Sequence, residues 1–140
     1  MSGVEAILKG RYPHDLIDAL LSAYQEIEQN YALAKWKASE LDAGHFVEAA
    51  RRLLEHELLG KATPLSAGLS KFNDAALKTY ENAKGDDSFR MLIPRVMWGV
   101  YGIRNKRGVG HVGAVSPNQM DSNLSADFLN HLIFFHVEVL

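Results

Sequence analysis

From residue 13 to residue 60 the apolar side chains of this chain return every three or four positions, and nothing alternates convincingly with period two. Leu16, Leu20, Tyr24, Ile27 and Tyr31 form one such stripe, and Val47, Ala50, Leu54 and Leu58 form another. That period turns a helix's apolar residues onto one side, whereas a half-buried strand needs strict alternation. Pro13 suits the first turn of a helix running to about Lys37, because its missing N–H is unpaired there in any case. A second helix spans the segment 41–60, "LDAGHFVEAARRLLEHELLG", with Gly60 at the C-terminal cap position. After a Pro/Ser/Gly-containing loop at 63–70, a shorter third helix turns Phe72, Ala76 and Tyr80 inward and ends near "AKGDD".

Asp86, Asp87 or Ser88 caps a fourth helix over about 88–105, with Pro94 tolerated near its first turn or as a kink. Its centre, "MLIPRVMWGVYGI", is apolar nearly all the way round, which predicts a place in the core or under another chain. A loop, "GVGHVGAVSPNQMD", follows, and Asp121 or Ser122 caps a fifth helix carrying Leu124, Phe128, Leu132, Phe135 and Val139. No internal repeat or low-complexity linker divides the chain. The expected fold is all-α, a single domain over residues 1–140 built as a bundle of four to five helices.

A rival lies in the loop itself. Gly108, Gly110 and Gly113 spell G-x-G-x-x-G, the dinucleotide fingerprint. The fingerprint works only when a strand enters it and a helix begins within it, so that the pyrophosphate meets the helix N-terminus. Here Pro117 and its turn residues stop a helix from growing out of the loop, and too few residues follow Gly113 to complete a doubly wound sheet. The upstream segments also read as successive helices. No cofactor is expected.

Composition narrows the chemistry. The 140 residues carry a formal net charge of −2, so a nucleic-acid surface has to be a local patch. The absence of cysteine excludes disulfides, thiolate metal sites and a cysteine nucleophile. The opening "MSGVEAILKGRYPHDL" lacks the pattern of a signal peptide, and no apolar run reaches the ~18 residues of a membrane span, so the expected location is cytoplasmic. His14, His45, His56, His131 and His136 have no metal-ligand spacing, and no metal is expected.

Positive charge concentrates at "RNKRGVGH". Ile93, Met97, Val100 and Arg104 fall on one helical stripe, so a guanidinium ends an apolar face and needs a carboxylate, carbonyl or phosphate partner. Gly108 and Gly110 let the chain turn His111 back toward that helix end. Asn105 can orient a neighbouring group, and Lys106 with Arg107 makes three cations in four residues. The bland alternatives are a helix C-terminal cation at Arg104, an idle loop histidine at His111 and a solvated turn at Lys106–Arg107.

Arg104-Asn105 followed after five residues by His111, late in a helical bundle, resembles the R-N-x(4–6)-H signature of the HEPN superfamily, the higher-eukaryote and prokaryote nucleotide-binding domains. The resemblance covers the chain in architecture and three residues in sequence. It implies a metal-independent endoribonuclease of toxin–antitoxin or antiphage-defence type, acting as a homodimer on RNA, with an antitoxin or defence-system protein as a further partner. RNA supplies its own nucleophile, the 2′-hydroxyl, so the enzyme needs a proton-transfer group and a stabiliser of the phosphorane. His111 would transfer protons, Arg104 would stabilise the transition state, and Asn105 would position them. Lys106 and Arg107 would bind the RNA backbone.

The homodimer would set two copies of the motif across a two-fold axis. Gly99 and Gly102, which thin one face of the fourth helix, and the apolar "LIFF" at 132–135 favour that arrangement. Where one subfamily carries a modifiable tyrosine two residues after the histidine, this chain has Gly113, which argues against that mode of control. The alternative is a non-catalytic HEPN-like module that binds a nucleotide, an RNA or a protein partner, with Arg104 structural. Trp98 and Tyr101 could stack bases but are assigned to the core, and "EAARRLLEHE" at 48–57 to a solvated face.

Overall fold

The computed structural model describes the backbone of residues 2–106 and the side chains of residues 3–35, 44–99, 101 and 102. These residues are helical and contain no strand. The expected loop at 108–121 and the fifth helix after it lie outside the described residues. Five α-helices follow in order: α1 (Ser2–Lys9), α2 (His14–Ala32), α3 (Trp36–Leu59), α4 (Asp74–Glu81) and α5 (Ile93–Lys106), the last preceded by one π-helical turn at Ser88–Leu92.

Helix α2 follows its periodicity. Pro13 occupies the N-cap, one place before the first turn, and Leu16, Leu20, Tyr24 and Ile27 are buried. The helix nevertheless stops at Ala32, short of the expected Lys37. Ala34 takes a left-handed φ of 57°, the N–H of Ala34 bonds the Tyr31 carbonyl at 3.0 Å, and that of Lys35 bonds the Asn30 carbonyl at 2.8 Å. This is a Schellman stop with alanine where glycine normally sits. Nothing in "YALAKW" announces it, because the usual glycine is missing. An L-residue in that conformation costs roughly 1–2 kcal/mol, part of which glycine returns as unfolded-state entropy. Ala34→Gly is therefore expected to stabilise the protein by about 1 kcal/mol and raise the melting temperature by about 3–5 °C in a thermal denaturation scan. A lowered melting temperature would contradict this turn.

Helix α3 occupies the centre. It packs against α2, α4, the π-helical turn and α5, and from Phe46 to Leu54 only Glu48 is exposed. The expectation of a solvated face over 48–57 is therefore wrong in its first half, because α3 has neighbours on both sides rather than one. Val47, Ala50 and Leu54 are buried as their stripe predicts, and Gly60 ends the helix at φ 80°. Asn73 caps α4 by accepting a hydrogen bond from the Ala76 N–H at 3.1 Å, and Phe72, Ala76 and Tyr80 all face the core.

The start of α5 is shaped by Pro94. In α-helical register that residue would have to donate to the carbonyl of Arg90, and it has no N–H to give. The chain widens just before it, and the Ile93 N–H reaches back to the Ser88 carbonyl instead. The Asp86 carboxylate accepts from the Ser88 N–H at 2.8 Å, so one of the three expected caps is in use. Helix α1, which no stripe foretold, anchors through Leu8 against the core, and α1 packs on α2.

Candidate functional site

The stripe that leads to the predicted site is real over its described length. Ile93 and Met97 are fully buried, and α5 continues without a break to Lys106. Arg104 lies eleven positions after Ile93, three turns on, and so returns to the same side of the helix. Asn105 and Lys106 complete the last turn. The side chains of Arg104, Asn105 and Lys106 lie outside the described residues, as do Arg107 and His111 altogether. The convergence of Arg104 with His111 is therefore carried by the sequence alone.

The opposite flank of α5 departs from expectation. Trp98 is 37% exposed, with its ring edge-on to Phe72 at 5.3 Å, so it is not a core residue. Tyr101, half-buried, lies 5.5 Å from the same Phe72 ring. Leu92 is exposed as well. Among the described residues a Cβ added at Gly99 or Gly102 would meet nothing within 4 Å, so these glycines admit no described segment to α5.

A second constellation lies one helix away. Arg51 and Arg52 of α3 are 4% and 7% exposed, which is rare for a guanidinium. Arg51 donates from Nε to the Tyr80 hydroxyl at 3.1 Å and from its two terminal nitrogens to the Ser70 carbonyl at 2.8 Å and hydroxyl at 3.3 Å. Its cation sits 4.6 Å from the centre of the Phe72 ring. Arg52 donates to the Ala67 carbonyl at 2.8 Å and more distantly to the Glu48 carbonyl at 3.5 Å. Glu55, one turn on, accepts from the N–H and hydroxyl of Thr63 at 3.2 and 2.8 Å. Together these three side chains clamp the connection between α3 and α4 onto the central helix. Burial pushes the Tyr80 hydroxyl above its ordinary pKa, and the adjacent Arg51 opposes that rise.

The sequence contained a signal for this pair. In "FVEAARRLL" the arginines sit between Ala49–Ala50 and Leu53–Leu54, which leaves no polar sector wide enough to face water. Among the described residues no group of three or more His, Asp or Glu side chains could hold a metal ion, and no helix is long and apolar enough to cross a membrane. Comparison of the chain with protein-family models, with curated proteins and with solved structures finds no match.

Proposed function

We propose that this chain is a metal-independent endoribonuclease of HEPN type that acts as a homodimer, of the kind found as toxins and antiphage effectors. One observation carries the reading: α5 runs unbroken from the fully buried Ile93 and Met97 to Arg104, which keeps their helical spacing, with Asn105 next to it in the last turn. A guanidinium at the end of an apolar stripe calls for a carboxylate, carbonyl or phosphate partner. His111 follows after a short glycine-containing segment. In this mechanism the 2′-hydroxyl attacks the adjacent phosphorus, and the leaving 5′-oxygen departs to give a 2′,3′-cyclic phosphate. His111 transfers the proton, Arg104 neutralises the non-bridging oxygens, Asn105 fixes their positions, and Lys106 with Arg107 follows the strand. The exposed Leu92 just before α5 and the exposed Gly99 within it suit a second copy.

The test uses RNA with excess chelator, wild-type protein and the variants Arg104→Ala and His111→Ala, with the mass in solution measured by sedimentation velocity. The expected result is a dimer that cleaves in chelator, leaves cyclic-phosphate ends, spares an all-deoxy strand, and is inactive in both variants. A folded wild type that leaves RNA intact under these conditions overturns the proposal, as does cleavage equal in all three proteins.

A further inference from the structure

We infer that the cavity between α3 and the 61–73 connection is a phosphate-binding site. It encloses about 270 Å³ and is walled by Arg51, Arg52, Ser70, Lys71, Phe72 and Tyr101. This goes beyond the ribonuclease reading, because it rests on Arg51, Arg52 and Lys71, to which that reading gives no role.

Charge is the first reason. Burying a cation is unfavourable unless an opposite charge or a full set of hydrogen bonds compensates. Here two guanidiniums are buried side by side, and their described hydrogen bonds go only to neutral oxygens. Between described residues the ion pairs involve Lys9, Arg11, Arg90 and Arg95, and neither Arg51 nor Arg52. The Nε of Arg52 is buried and makes no hydrogen bond. Among the described lining residues Lys71 adds a third cation and Glu48 is the one carboxylate, so that lining is net positive in a chain whose formal total is −2. An anion bound beside them would compensate the two guanidiniums.

The walls indicate which anion. Guanidinium forks match a tetrahedral phosphate, which accepts paired N–H donors from them. The half-buried Tyr101 ring, set against the buried Phe72, gives the cavity an aromatic wall beside which a base or sugar can lie. The volume falls just below the ~300 Å³ at which pockets for drug-sized ligands begin, which suits one phosphate with its nucleoside and not a dinucleotide. The phosphate can belong to a free nucleotide or to an RNA strand. Tyr101 stands three residues before Arg104 on the same helix, so a strand seated here would run toward that helix end.

Calorimetric titration at low salt tests the site with three probes: inorganic phosphate, uridine 3′-monophosphate and an octauridylate. The proteins are wild type, Lys71→Glu, Arg52→Met and Arg104→Ala. Lys71 is exposed, so its replacement leaves the fold intact even if Arg52→Met does not fold. Saturable binding of the monophosphate is expected, weakened about tenfold or more by Lys71→Glu, a change of about 1.4 kcal/mol, and kept in Arg104→Ala. In the Arg104→Ala background, octauridylate binding that is tighter than the monophosphate and is weakened by Lys71→Glu identifies a strand as the source, and equal binding identifies a nucleotide. Binding that is absent for every probe, or indifferent to Lys71→Glu, overturns the inference. Because no step of this test reads cleavage, its failure and that of the ribonuclease reading are separate results.

Discussion

Phe46→Ala is expected to remove about 4 kcal/mol of folding stability, out of the roughly 5–15 kcal/mol available to a domain of this size. Phe46 is 2% exposed on the central helix α3, and its ring lies 6.4 Å from that of Tyr24 on α2. The two helices make the principal contact of the fold. Truncation loses the transfer energy of the ring and opens a cavity between two long, rigid helices that cannot easily close over it. Urea titration followed by circular dichroism at 222 nm should show the midpoint falling with an unchanged slope. A loss below about 1 kcal/mol would place Phe46 outside the core.

The second large effect concerns activity. Under the proposed mechanism Arg104→Ala should lower the single-turnover cleavage rate by about 10²–10³, the usual consequence of removing one group that stabilises developing oxyanion charge. Substrate affinity should change far less, because charge on the non-bridging oxygens grows mainly in the transition state. Arg104→Lys keeps the charge and loses the planar fork, so its rate should lie between the two. A helix C-terminal cation without catalytic duty behaves differently: its removal costs about 0.3–1 kcal/mol of stability and leaves any cleavage rate unchanged. Rate and melting temperature measured on the same preparations separate the two roles.

The candidate site divides between what spacing can express and what it cannot. That Arg104 continues the stripe of Ile93 and Met97 follows from counting residues along one helix, and the unbroken run of α5 agrees with the count. The cavity at Arg51 and Arg52 could not be found that way. It needs Ser70, Lys71 and Phe72 from the next connection and Tyr101 from α5, brought together across roughly 20 to 50 positions of chain. Trp98 shows the same limit in reverse: its apolar surroundings in sequence predict burial, and its side of α5 has no described element laid over it.

Local chemistry determined the segments themselves. The three-to-four-residue stripes of α2 and α4, Pro13 at one helix start, Asn73 at another and Gly60 at a helix end are interactions within a few residues, so the chain encodes them directly. Tertiary structure decided which sides of those helices became interior. Helix α3 is buried almost all round from Phe46 to Leu54 because it packs against α2, α4 and α5 and carries the clamped connection. The left-handed stop at Ala34 was decided at the same level, whereas the widened turn before Pro94 follows locally from the proline's missing N–H. An alanine at positive φ departs from its local preference, and such a departure persists only where packing between distant elements outweighs it.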